Sequence, residues 1–135
     1  MPDPSTTVLL VDDDLLLATR ILTVLGAAGY RVDHVTDAAS APTRYAEARP
    51  VLALVNLGSR CLDGMEALRR LAAADPAPPI VAYAPHVRIP DVREAARAAG
   101  ALRVVPNSAI ASRLAEVIRD ALRRAAAAGA GSSSP

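Results

Sequence analysis

The stretch Pro50-Val-Leu-Ala-Leu-Val-Asn-Leu-Gly58, followed shortly by Asp63-Gly64, decides how the rest of the chain reads. Its five consecutive apolar residues, Val51 to Val55, are too few for a buried helix. A short run of β-branched and aliphatic residues is the pattern of a central strand in a parallel sheet, covered on both faces. The run ends at a single polar side chain, Asn56. In open α/β folds, ligands and chemistry sit outside the carboxyl ends of the central strands. Asn56 therefore marks where function should be sought.

Working outward, Thr7 to Val11 reads as a first buried strand, with Asp12-Asp13-Asp14 directly after it. Leu17, Ile21, Val24, Leu25 and Ala28 recur at helical spacing, and Gly29 is a good C-terminal stop. Tyr30 to Val35 alternates as a short second strand, and Ala38 to Ala48 is a helix capped by Asp37, with Pro42 tolerable only near its first turn. A third helix runs from Gly64 to Ala74, and Ile80 to Ala84 is a fourth strand stopped by Pro85. The fourth helix spans Asp91 to Ala99 and is closed by Gly100; the fifth strand is Ala101 to Val105. Asn107 or Ser108 caps a last helix whose Ile110, Leu114, Val117, Ile118, Ala121 and Leu122 form one apolar face. The divisions expected are an N-terminal extension at 1–6, one domain at 7–127, and a flexible Gly/Ser-rich tail at 128–135.

Strands and helices in strict alternation give an α/β fold with a five-stranded parallel sheet and right-handed crossovers. An alternating chain of this length is most simply a doubly wound, flavodoxin-like three-layer sandwich. Strand order 2-1-3-4-5 is the fold-level expectation, and it would bring Asp12, Asp13 and Asn56 to one cleft.

Composition narrows the function. The chain has 135 residues, 52% of them hydrophobic and 21% charged, with a net charge of +1, which argues against a large electrostatic footprint for nucleic acid or an anionic membrane. Its 15 basic residues are all arginines, so lysine chemistry is excluded. The lone Cys61 rules out an intrachain disulfide and a cysteine-based zinc site. No stretch approaches the length of a membrane span, and the N-terminus does not resemble a secretory signal, so a cytoplasmic location is expected. Adjacent carboxylates at a strand end are costly unless a cation sits among them, and Mg²⁺ suits such oxygen ligands. The plainer alternative is that Asp14 caps the first helix while Asp12 and Asp13 are solvated.

Three segments carry a resemblance. Val8-Leu-Leu-Val-Asp-Asp-Asp14 resembles the opening of a two-component response-regulator receiver domain, Val55 to Gly64 resembles that family's third-strand segment, and Gly100-Ala101 matches before the fifth strand. The similarity covers about residues 7–125 and implies the CheY-like form of the fold. It implies phosphorylation of an aspartate at the end of the third strand, with Mg²⁺ held by the acidic pair after the first. Carried onto this chain, Asp12 and Asp13 match the acidic pair, with Asp13 the more direct ligand, and the acceptor position falls on Asn56. A carboxamide nitrogen is not nucleophilic and cannot form the acyl phosphate. The hydroxyl position of the fourth strand falls on Ala84, the switch aromatic on Val104, and the lysine position on Asn107.

The resemblance therefore points to a pseudo-receiver: a stand-alone, non-enzymatic signalling module that acts by protein contact without its own phosphorylation. Any Mg²⁺ binding should be weak, with the Asn56 carbonyl and the backbone carbonyl at Gly58 as remaining ligands. Partners would be a kinase, another regulator or a second copy, met through residues 91–125 (Asp91 through Ala125), with no nucleic acid or membrane. Two alternatives stand beside this: a phosphoreceiver using Asp13 or Asp63, and a flavodoxin-fold small-ligand binder, for which no glycine-rich loop is present. His86, beside the same edge, is either a metal ligand or a surface-loop residue, and His34 is structural or solvent-facing. Ser59 and Ser108 read as loop formers, and Tyr83 as either part of an interaction surface or a packing residue.

Overall fold

A computed structural model describes residues 6–132, with side-chain surroundings over residues 6–128. Five parallel strands, β1 (Thr7–Val11), β2 (Arg31–Val35), β3 (Leu52–Asn56), β4 (Ile80–Ala84) and β5 (Arg103–Pro106), form one sheet in the order β2-β1-β3-β4-β5. The helices are α1 (Leu15–Ala27), α2 (Ala41–Ala48), α3 (Gly64–Ala72), α4 (Ile89–Ala99) and α5 (Asn107–Ser132). This is the doubly wound sandwich that the alternation implied.

Period-two geometry splits each central strand between two cores. Val8, Leu10, Leu52, Leu54, Val81 and Tyr83 pack on one face with Ile21 and Leu25 of α1 and Ile110, Leu114 and Ile118 of α5. Leu9, Val11, Ala53, Val55, Ala82 and Ala84 face the other way, against Ala41, Leu68, Leu71 and Ala96. The strands β1, β3 and β4 are buried along their whole length, which is why they read as unbroken apolar runs. The edge strand β2 is exposed at Arg31 and half-buried over Val32, Asp33 and His34, where charged and polar side chains guard the open edge.

Local chemistry moves several boundaries. The α2 helix starts at Ala41 and not at Ala38, because the Asp37 carboxylate accepts from Ser40 N (2.7 Å), closing a turn before Pro42 opens the helix. A 3₁₀ turn at His86–Arg88 leads into α4 two residues early, with Pro90 in its first turn. The β3 strand extends to include Asn56, and β5 is displaced to Arg103–Pro106. Asn107 does not cap α5 but is its first residue, and its buried Oδ1 accepts no hydrogen bond. The α5 helix also continues to Ser132, past the expected boundary at residue 128, since the alanines from Ala125 onward are the strongest helix formers; the rest of the tail lies outside the described residues.

The loop from β3 to α3 is drawn tight against the sheet. A Cβ at Gly64 would stand 2.1 Å from the Asn56 carbonyl oxygen, a backbone atom that cannot swing aside. Gly64→Ala should therefore destabilise the chain by about 3 kcal/mol or more, while Gly26→Ala, on open α1 surface with nothing within 4 Å, should stabilise it by about 0.5–1 kcal/mol. Urea unfolding of both variants checks the contrast.

Candidate functional site

The carboxyl ends of β1 and β3 are neighbours, with Val11 paired to Val55, and β4 lies on the far side of β3 with Tyr83 paired to Asn56. That register delivers three polar side chains to one buried point. Asp12 is fully buried, Asn56 is 4% exposed and Tyr83 is fully buried. The Asn56 amide Nδ2 donates to Asp12 Oδ1 (2.9 Å), the Asp14 backbone N–H donates to the same oxygen (2.8 Å), and the Tyr83 hydroxyl donates to Asp12 Oδ2 (2.6 Å). Every contact to this carboxylate is a donor, the pattern an ionised carboxylate requires. On the other side of the carboxamide, Gly58 N–H donates to Asn56 Oδ1 (2.7 Å). The orientation of the Asn56 amide is thus fixed from both ends: an amide N–H needs the oxygen, and the carboxylate needs the NH₂.

The surroundings hold this arrangement in place. A Cβ at Gly58 would stand 2.4 Å from Pro85 Cδ, so only glycine brings its N–H this close under the loop after β4. His34 Nε2 lies 2.6 Å from the Asp12 carbonyl oxygen, which makes Nε2 the protonated nitrogen and gives this histidine a structural contact. Asp14 caps α1 by accepting from Leu17 N (3.1 Å), as the plainer reading of the acidic run had it. Asp13 is half-buried and makes no hydrogen bond or ion pair among the described residues.

Other sequence candidates resolve individually. Asp63 caps α3 through Glu66 N (3.0 Å), and Glu66 stands three residues on, where a capping-box partner belongs. Ser59 Oγ accepts from Cys61 N and Leu62 N (3.1 and 3.0 Å), as a loop former. His86 is exposed in the 3₁₀ turn, and Ala84 and Val104 lie buried in the core opposite Tyr83. Tyr83 takes the packing role, one of the two that its sequence position offered, but its hydrogen bond to Asp12 was not foreseen. Its place on the same strand face as Val81 was legible from period two, but its bond to Asp12 joins residues 71 positions apart and required the sheet order and register.

Parallel strands in the order β2-β1-β3-β4-β5 with alternating helices define the doubly wound, flavodoxin-like class of α/β domains, here with acidic residues at the end of β1. Residues 8–119 match the response regulator receiver domain, and the chain belongs to that family, a receiver of two-component signal transduction. Over 73 residues it is 36% identical to the two-component response regulator PhoP of Pseudomonas aeruginosa, a match covering 54% of this chain and 32% of PhoP, so the match spans about a third of that relative's length. Among solved structures, the receiver domain of NtrX from Brucella abortus is 25% identical with a TM-score of 0.76, covering 86% of this chain and 98% of that one. A LuxR-family two-component response regulator from Aurantimonas is 26% identical with a TM-score of 0.77, covering 88% and 86%. Receiver domains work through contact with histidine kinases and other signalling proteins. No helix among the described residues is long and apolar enough to cross a membrane.

Burial, followed by the charge and hydrogen bond of Asp12 and then by Asp14 and Asp13, pushes the Tyr83 phenol well above its usual range. A raised folded-state value means that the unfolded chain releases this proton first. The associated stability is complete below the ordinary phenol value of about 10 and is lost as pH rises through the folded value. With no lysine in the chain, few other groups titrate in that window. One of the three tyrosines should therefore form tyrosinate only as the protein unfolds in alkali. Tyr83→Phe should remove that phase, flatten the alkaline loss of stability, and cost about 2 kcal/mol at neutral pH through the lost donor to a charged acceptor.

Proposed function

We propose that this receiver domain is a protein-interaction module that does not use its own aspartyl phosphorylation. The observation that carries the reading is the state of Asn56. It occupies the acceptor position implied by the family resemblance, its nitrogen is committed to Asp12 Oδ1, and its oxygen is committed to Gly58 N–H. An amide there offers neither the nucleophile nor the leaving chemistry of an acyl phosphate. Ala84 supplies no hydroxyl and Asn107 no ammonium group, so a transferred phosphoryl group would also lack its usual supports.

The same network bears on the metal. Mg²⁺ takes carboxylate and carbonyl oxygens in near-octahedral geometry. Asp12 gives both oxygens to protein donors and the Asn56 oxygen is taken by Gly58, leaving the Asp13 carboxylate and backbone carbonyls. This donor set does not fit a tight Mg²⁺ site, and we read the domain as binding the ion weakly or not at all. A second reading, phosphorylation on Asp13, is favoured over Asp63 because Asp63 is engaged as a helix cap while Asp13 is not.

Intact-mass spectrometry after incubation with acetyl phosphate and Mg²⁺ tests the proposal. Wild type should remain unmodified; a labile phosphoryl adduct abolished by Asp13→Asn would establish the second reading instead. In Asn56→Asp, a carboxylate oxygen replaces the NH₂ that stands 2.9 Å from Asp12 Oδ1, so two like charges meet. That variant should melt lower than wild type without metal, recover with Mg²⁺, and accept a phosphoryl group. Wild type, with a dissociation constant no tighter than about 1 mM, should gain no more than about 0.4 kcal/mol from Mg²⁺ at about 1 mM.

A further inference from the structure

The positive charge of this chain is not spread evenly. A groove of about 690 Å³ lined by α4, β5 and α5 collects five arginines against two carboxylates, Glu116 and Asp120. It holds a surplus of three positive charges in a chain whose net charge is +1, so everything outside it is net negative. Asp120 is saturated, because Arg103 (2.8 Å), Arg124 (3.0 Å) and Arg123 (3.5 Å) share its carboxylate. Arg93 on α4, and Arg113 and Arg119 on α5, have no ion-pair or hydrogen-bond partner among the described residues, nor does Glu116. Three guanidiniums from two helices thus stand against one free carboxylate. Between them the lining is apolar, with Val104, Ala109 and Val117 at the surface of the core.

We propose that this groove is a binding site for a small polyphosphate that carries a planar ring, the chemistry of a nucleoside di- or triphosphate. Its phosphates pair with Arg93, Arg113 and Arg119, and its ring lies over Val104 and Val117. A guanidinium binds phosphate through a fork of two parallel hydrogen bonds. Three forks need about six acceptor sites, more than the roughly four lone-pair positions of one carboxylate, and linked phosphates supply them. The apolar lining offers nothing to bare phosphate but accepts the face of a ring, on which a guanidinium also stacks. A long nucleic acid fits poorly, because its backbone charge would run past the groove onto net negative surface. None of the groove residues belongs to the Asp12–Asn56–Tyr83 network, so the inference goes beyond the reading of Asn56 and does not depend on it. A ligand held by both α4 and α5 would give the domain an input other than phosphoryl transfer.

Isothermal titration calorimetry on the full chain tests this with three probes in EDTA: ATP, inorganic triphosphate and adenosine. ATP should bind with a dissociation constant on the order of 10–100 μM and weaken as salt is raised. Triphosphate, which has the charge without the ring, should bind at least roughly ten-fold more weakly, and adenosine should not bind up to about 1 mM. Arg93→Gln with Arg119→Gln, both at exposed positions, should weaken ATP by at least roughly ten-fold while leaving the melting temperature of the free protein unchanged. Arg20→Gln on α1 should leave ATP binding as it was. Amide NMR shifts on titration with ATP should cluster on α4, β5 and α5. No ATP binding up to about 1 mM, triphosphate binding as tightly as ATP, or insensitivity to the double substitution would each overturn the proposal. So would shifts centred on the loops after β1 and β3, or tighter binding of a single-stranded oligonucleotide or of a glutamate-rich peptide than of ATP.

Discussion

The Asp12 carboxylate is buried in the middle of the molecule, and the carboxyl edge of the sheet is arranged around keeping it there. Taking an ion out of water costs several kcal/mol, recovered only if its lone pairs meet donors with good geometry. Three elements supply them: the Asp14 N–H from the turn into α1, the Asn56 amide from β3 and the Tyr83 hydroxyl from β4. The donors depend on one another, because Asn56 can present its nitrogen to Asp12 only while Gly58 N–H holds its oxygen. A buried network of this kind is favourable when every member is satisfied and costly when one is not. It therefore ties the register of β1, β3 and β4 together as firmly as the apolar contacts do.

That arrangement has a functional consequence. A phosphotransfer site needs an acceptor carboxylate, free oxygens for a cation and a positive group for the phosphoryl oxygens. Here neutral hydrogen-bond donors meet the Asp12 carboxylate, while the Asp13 carboxylate beside it has no partner among the described residues. Unpaired charge of the opposite sign lies on α4 and α5, where Arg93, Arg113 and Arg119 have no partner among the described residues.

The layered fold was legible in the chain because both-faces-buried strands must be short apolar runs and the helices between them must show a 3.6-residue stripe. Asp12, Asp13, Asn56 and Gly58 could be picked out because they follow those runs directly. Boundaries were less legible where local side-chain chemistry competed with helix propensity, as at Asp37, whose carboxylate closes a turn and delays α2. The part Tyr83 plays at the site was not legible, because a tyrosine at the end of an apolar strand serves equally as packing or surface, and nothing adjacent in sequence names its partner.

By itself, the sequence determined the class of fold, the two faces of each strand, the lack of lysine chemistry and the presence of an amide, Asn56, at the end of the third strand. These are properties of residue type and period, carried by the chain before it folds. Only the tertiary structure decided that Asp12, Asn56 and Tyr83 share one hydrogen-bonded network, that Asp63 is engaged as a cap while Asp13 is not, and that five arginines from three elements line one groove. Each of these depends on strand order and register, which bring together residues tens of positions apart and which no local pattern specifies.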